Sequence, residues 1–462
     1  MSALWTGTEA ATATGGTLVH SGWEALGVAV DSRSVVPGDL FVALKGCNDN
    51  GHDHVATALA AGAVAALVER VPEGLPAGAA LLLVKDTLAA LGDLGRAARA
   101  RSTARVIAIT GSIGKTGTKE MLRLALAEQG ATHACDSSDN SPCDVLLSLS
   151  RLPRSARFAI FELGHPGEFT SLTRLVRPHV AIITTVETVH TAHFKTIDDI
   201  ADAKAGIFLG LEPGGVAVLN RDNRQFRRLA AAAGHAGVET ILSFGSHIDA
   251  SARLLDCGID PDETAVFALL KDHAIAYRVG VPGLHWAMNS LAVLLAVRSV
   301  GGDPDRAAGK LADMTPPKGY GQRHVVRMDH GSYEVIDESY HASPASMTAA
   351  IATLAAARPA KGARRIAVLG DMLDLGRDAS ALHAGLAEAI DSWRTDLVFT
   401  IGPLMASLYA AIPEHKRGCH AASAEEAAPL VKAAIRPGDV VMVKGSAGSR
   451  MGDVVKTLIE GE

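Results

Sequence analysis

The run Val106-Ile107-Ala108-Ile109-Thr110-Gly111-Ser112-Ile113-Gly114-Lys115-Thr116 carries the clearest chemistry in this chain. A short, β-branched apolar run ends in a glycine-bounded turn bearing Lys-Thr, and Lys119 to Leu126 continues in a helical pattern. Strand, loop and helix in that order make a phosphate cradle, because N–H groups at a helix N-terminus point at anionic oxygens. Gly111, Ser112, Ile113, Gly114, Lys115 and Thr116 are therefore expected to hold the phosphates of ATP. Lys115 would reach the terminal phosphates, and the Thr116 hydroxyl would ligate Mg²⁺. The full pattern G-x-x-x-x-G-K-[ST] needs Gly at 109, where this chain has Ile109. The shorter pattern that remains also fits an ordinary strand-to-helix turn with an exposed lysine. The flanking strand and helix favour the phosphate loop.

The surrounding elements must position this loop. Residues 1 to about 103 alternate short strands, such as Gly27 to Val30 and Asp39 to Leu44, with Ala-rich helices, such as Val55 to Ala63. The basic, small-residue stretch Arg96 to Arg105 leads into the loop strand. Residues 104 to 313 repeat strand and helix. Phe158 to Phe161, Val180 to Ile183 and Val216 to Leu219 read as buried strands of a parallel sheet covered on both faces. Ligands of such sheets bind beyond the carboxyl ends of the strands. Polar clusters stand there: the loop after Ile109, Glu162, and Thr184 to His190. Residues 314 to 462 form a second such unit, with strands at Tyr333 to Ile336, Arg365 to Leu369, Leu397 to Ile401 and Val440 to Val443. Met314-Thr315-Pro316-Pro317-Lys318-Gly319 suits an interdomain hinge. The fold class expected is thus three α/β domains: a small N-terminal one, a central parallel-sheet ATPase, and a Rossmann-like C-terminal one.

Composition narrows the function. The 462 residues supply core for several domains, with 48% hydrophobic and 20% charged residues. Aromatics are only 4%, so the cores must rest on Ala, Val, Leu and Ile. A net charge of −6 argues against a general nucleic-acid binder. No apolar run is long enough to span a bilayer, and the first residues lack a signal-peptide pattern. Five scattered cysteines without C-x-x-C suit a reduced, cytoplasmic protein.

Several motifs, in order along essentially the whole chain, resemble the Mur ligases, the ATP-dependent amide-forming enzymes of peptidoglycan assembly. Asp31-Ser32-Arg33, then Pro37 to Gly46 and Gly51-His52-Asp53, resemble that family's UDP-substrate domain. Gly111 to Thr116, with Thr118-Lys119-Glu120, resembles its ATP loop. Ile336-Asp337-Glu338-Ser339-Tyr340, Val368 to Met372 and Val443-Lys444-Gly445-Ser446 carry the likeness in the third domain. The resemblance implies a carboxylate that attacks the γ-phosphate of ATP, giving an acyl phosphate from which an amine displaces phosphate. It points to joining D-alanyl-D-alanine to UDP-N-acetylmuramoyl tripeptide in a monomeric enzyme. Two Mg²⁺ ions are implied, with Thr116 and Glu162 on one and His190 on the second. Lys204 matches the lysine that the family carbamylates, which would add an anion to the metal set, and Lys115, Lys204 and His190 are the catalytic candidates. Asn289 matches an adenine contact, and Arg323 and Asp337 fit nucleotide contacts from the third domain. Ser32, Arg33, Lys45, Gly46, Asn140, Tyr340, Lys444 and Ser446 match substrate positions. On residue type alone each has a plainer role: Glu162 a turn cap, His190 and Lys204 solvated groups, Asn289 a helix-face polar residue.

The site also departs from the family pattern. Gly117 stands where a Thr usually follows the loop, Glu187 lies in the run before His190, and Trp286 interrupts a His-Asn pair. Tyr320 replaces an arginine after the hinge, with Arg323 near enough in sequence to substitute, and His341 replaces an asparagine. Three alternatives follow: a paralogue joining another carboxylate and amine, a nonenzymatic binding protein, and a simpler P-loop kinase or ATPase. The intact loop with Glu162, His190 and Lys204 speaks against the second, and the flanking domains and Lys204 against the third.

Overall fold

The computed structural model describes residues 3–46, 50–135, 141–164, 169–187, 194, 196–271 and 273–460. Three large sheets follow one another along the chain. The first has five strands in the order Thr17–Val19, Leu81–Leu83, Ala65–Val68, Asp39–Val42, Gly27–Ala29, parallel except at the Thr17–Val19 edge. The stretch from Arg96 belongs to a helix, Thr87–Arg101, capped by Asp86. Its apolar face (Ala90, Leu91, Leu94, Ala98) joins one core with Trp5 and Leu40 on one side and Val106 and Phe161 on the other. The first and central units are therefore packed through shared apolar surface, whose burial is the main favourable term in folding.

The central sheet has nine strands. Arg105–Thr110 (β1) lies between Phe158–Glu162 (β2) and Val180–Ile183 (β3), all parallel. The helix Lys115–Ala127 (α1) follows β1 directly, four residues earlier than its apolar pattern indicated. Ile197–Ala205 (α2) follows β3 and begins with a Thr196–Asp199 capping box. The far edge is an antiparallel meander, Ala252–Ile259, Thr264–Leu270 and His273–Val279, which the sequence reading did not separate. Leu284–Ser299 (α3) lies across the second face of the sheet and is buried nearly all round. A helix apolar on every side needs this kind of sandwiched position.

The third sheet has six strands. Gly331–Glu338 (β4) pairs antiparallel with the edge strand Gln322–Met328 and parallel with Val440–Lys444 (β5). Pro344–Ala356 (α4) starts at a Ser343 cap just beyond β4. Separate apolar clusters cover the two faces of this sheet. Continuous apolar strands such as Val440–Lys444 are what a sheet buried on both faces requires. Among the described residues no helix is long and apolar enough to cross a membrane.

Candidate active site

The loop between β1 and α1 is built as a cradle. Gly114 caps α1 at φ 85° with no side-chain hydrogen bond, leaving the first-turn N–H groups of the helix without a side-chain cap. A Cβ at Gly114 would stand 2.5 Å from Asn289 Nδ2, and one at Gly111 would stand 1.9 Å from Thr184 Oγ1. Neither position has room for a larger residue, and each lack of a side chain keeps the backbone open toward a ligand. Hydrogen bonds from β3 hold the loop in place. Ser112 N donates to Thr185 O at 2.8 Å, and the Ser112 hydroxyl donates to Glu187 O at 3.1 Å. Thr184 Oγ1 donates to Ile113 O at 2.5 Å. Behind them, Asn220 Nδ2 donates to Thr184 O and Asn223 Nδ2 to Val186 O. Asn220 and Asn223 lay outside the sequence reading; their position just past an apolar strand was the available signal.

Four charged or polar groups converge near this loop. Thr116 Oγ1 donates to Glu162 Oε1 at 3.0 Å, joining the end of β2 to the first turn of α1. Two hard oxygen donors so placed fit one edge of an Mg²⁺ shell, with phosphate and water completing it. Lys115 Nζ donates to Gly111 O at 3.0 Å. Burial pushes the Lys115 amine below its usual range, and the Glu162 carboxylate opposes that shift. Lys204, at the end of α2, is 6% exposed. Burial, and then repulsion from Lys115, push its amine well below the ordinary lysine value. His190 lies outside the described residues, as does Asn140. Among the described residues no group of three or more His, Cys, Asp or Glu side chains could hold a metal.

The loop opens on a cavity of about 1610 Å³ whose opposite wall comes from the third sheet. The Tyr320 hydroxyl hydrogen-bonds to Thr116, and burial raises its pKa. Its ring lies 5.2 Å from that of Tyr340. Lys444, at the end of β5, is buried and donates to Glu338 Oε2 at 3.0 Å and to His341 O at 2.7 Å. The structure thus brings together Ser112 to Thr116, Glu162, Asn289, Tyr340 and Lys444 around one space.

Other expected residues stand elsewhere. Asp337 is buried and accepts from the Ser339 amide and hydroxyl, while its neighbour Glu338 faces the cavity. Successive strand residues point to opposite sides, so the carboxylate that the strand end presents is Glu338. Arg323 donates to Glu334 Oε1 at 2.6 Å and lines a separate recess, so Tyr320 takes the place by the loop. Ser446 accepts from the Leu373 amide outside the cavity wall. In the first sheet's unit Lys45 pairs with Glu69, and Arg33 pairs with Asp31 at 2.7 Å, holding that carboxyl down to about 2. These, with Ser32 and Gly46, form no part of the cavity lining.

Comparison with known proteins finds relatives that match along nearly the whole chain. Three family descriptions match in sequence order: "Mur ligase family, catalytic domain" at residues 25–99, "Mur ligase middle domain" at 109–297, and "Mur ligase, glutamate ligase domain" at 323–447. The UDP-N-acetylmuramoyl-tripeptide--D-alanyl-D-alanine ligase of Bacillus subtilis is 31% identical over 454 residues, covering 96% of both chains. The Escherichia coli protein of the same name is 31% identical, covering 94% of this chain and 93% of the relative. A crystal structure of MurF from Acinetobacter baumannii superposes with a TM-score of 0.84 at 28% identity, covering 99% of each chain. MurF ligase from Thermotoga maritima, solved with ADP, gives 0.76 at 25% identity, covering 94% and 96%.

Proposed function

This chain belongs to the Mur ligase family, and from that membership we propose how its residues perform ATP-dependent amide ligation. The reaction is the addition of D-alanyl-D-alanine to UDP-N-acetylmuramoyl tripeptide in peptidoglycan synthesis. The observation that carries the reading is the shared cavity, where Lys115, Thr116 and Glu162 face Lys444, Glu338 and Tyr320. A phosphoryl-transfer wall and a substrate wall contributed by different sheets suit a reaction of three substrates.

The tripeptide carboxylate attacks the γ-phosphorus, and ADP leaves. Negative charge spreads over the transferring oxygens, so the loop N–H groups and the Lys115 ammonium stabilise that state. The acyl phosphate then meets the amine of D-alanyl-D-alanine, and phosphate departs from the tetrahedral adduct. Lys444 is a fixed cation, held by Glu338, able to position a carboxylate of the incoming substrate. Thr116 and Glu162 would hold one Mg²⁺ ion, which when bound neutralises phosphate charge. Lys204 has the chemistry for carbamylation, since a desolvated amine spends more time neutral and only the neutral form attacks CO₂. His190 is the candidate for a second ion. We assign residues 1–103 to the nucleotide-sugar peptide, 104–313 to ATP and 314–462 to the amine. The location proposed is the cytoplasm, where ATP and UDP-linked precursors meet. The state proposed is a monomer, because one chain supplies both walls of the cavity.

Phosphate release from ATP, with the tripeptide and dipeptide both present, tests the reading. The expected result is release that requires both, together with a product heavier by one D-alanyl-D-alanine. A second reading, a family member with another carboxylate and amine, is favoured by one observation: Gly117, Glu187, Trp286, Tyr320 and His341 all line the cavity. ATP binding without phosphate release on these substrates would select it.

A further inference from the structure

Gly117 and Trp286 lie far apart in sequence, each departing from the family pattern, and they touch. A Cβ at Gly117 would stand 2.6 Å from Trp286 Cζ3 and 2.8 Å from Cη2, and real Cβ atoms do not come that close to an aromatic ring. One turn earlier, Gly114 has the same relation to Asn289. The cap of α1 and the residue three positions further on therefore meet residues three apart on α3, the i, i+3 spacing of one face of that helix. The two departures are one structural feature: the indole occupies the volume that a side chain at 117 would need.

Trp286 is 6% exposed and forms part of the cavity wall. Its ring is 5.4 Å from that of His285, whose pKa burial pushes down. Leu284 and Met288 extend the same wall. The charged groups of the cavity include Lys115, Glu162, Glu187, Glu338, Asp374, Arg394 and Lys444, of which Glu338 and Lys444 act on His285. A nucleotide with its phosphates on Gly111 to Thr116 has the Trp286 ring against the first turn of α1, with Tyr320 and Tyr340 among the other rings of the lining. A base offers a flat π-face that stacks on such a ring.

We propose that Trp286 determines nucleotide specificity by stacking on the purine of ATP, and that Gly117 is the clearance this indole requires. The proposal rests on the ATP reading above and adds to it a residue pair that departs from the family pattern. Affinity for Mg-ADP, measured by titration calorimetry on the full chain, tests it with Gly117→Thr, Trp286→Asn and the double variant. Trp286→Asn should weaken ADP binding roughly tenfold and lower the preference for ADP over CDP, while Trp286→Phe keeps most of both. Gly117→Thr should cost roughly thirtyfold or more with Trp286 in place, but no more than about threefold in the Trp286→Asn background. Circular dichroism and melting curves check that each variant folds. If Gly117→Thr does not, Gly117→Ala brings in the clashing Cβ alone. Additive effects of the two changes, or Trp286→Asn that binds ADP as the parent does, would overturn the pair while leaving the ATP reading intact. Failure of the parent protein to bind ADP would overturn both.

Discussion

Replacing Lys115 with methionine separates ligand binding from folding in one residue. The Lys115 ammonium is already held on Gly111 O at 3.0 Å and already desolvated, as the downward shift of its pKa shows. Part of its solvation cost is met on folding, so much of its attraction for phosphate is expressed when ATP binds. At about 4 Å and an effective dielectric near 20, one charge pair contributes about 4 kcal/mol. Subtracting about 1 kcal/mol for the hydrogen bond to Gly111 given up or shared leaves about 3 kcal/mol, or roughly 150-fold in affinity. Urea unfolding with and without Mg-ADP reads this directly. At a ligand concentration of about 100 times the parent Kd, the parent should gain about 2.7 kcal/mol. A variant binding roughly 150-fold more weakly should gain only about 0.3 kcal/mol at that concentration. Without ligand, Lys115→Met should be at least as stable as the parent, because a crowded ammonium is replaced by an apolar side chain. Equal stabilisation by Mg-ADP in both proteins, or phosphate release within threefold of the parent, would refute the phosphate role of Lys115.

Three further outcomes are expected. In CO₂-free buffer the ligand-free protein should grow more stable as pH rises toward 10.5, since Lys115 and Lys204 bind fewer protons folded than unfolded across that window. Urea midpoints for the Lys115→Met/Lys204→Met variant should lose much of this slope, and an unchanged slope would count against the two shifts. Lys204→Ala should lose most ligase activity and regain it with a small carboxylic acid; activity indifferent to the mutation would remove carbamylation from the mechanism. Tyr320→Phe deletes the hydroxyl that bonds to Thr116, and should lower kcat/KM roughly two- to tenfold while leaving Mg-ADP affinity nearly unchanged. A matching loss in ADP affinity would instead place the phenol in nucleotide binding.

Much of this arrangement was legible in the residues. The strands at Leu397–Ile401 and Val180–Ile183 match their apolar runs to the residue. The loop from Gly111 to Thr116 is local in the same sense, as one strand, one turn and one helix start fix its backbone. The antiparallel meander between Ala252 and Val279 was less legible, because its outer strands mix polar and exposed residues and only the middle one carries a continuous apolar run, Ala265 to Leu270. Helix α1 begins before its apolar pattern does, because Lys115, Thr116 and Gly117 serve the cavity rather than the core.

Which side chains face each other was decided only by the tertiary structure. The resemblance implied Asp337 and Arg323 as nucleotide contacts; in the fold the pleat of β4 turns Glu338 toward the cavity, and Arg323 bonds to Glu334. Gly117, Trp286 and Tyr320 read singly as three unconnected departures; folded, all three close on the same loop. By itself the sequence determined what depends on neighbours along the chain: hydrogen-bonded local structure, apolar periodicity, and the strand–loop–helix backbone of one glycine-bounded turn. Packing of α3 and the third sheet against that turn determined the rest, because it depends on volume and direction across residues that the chain connects only at long range.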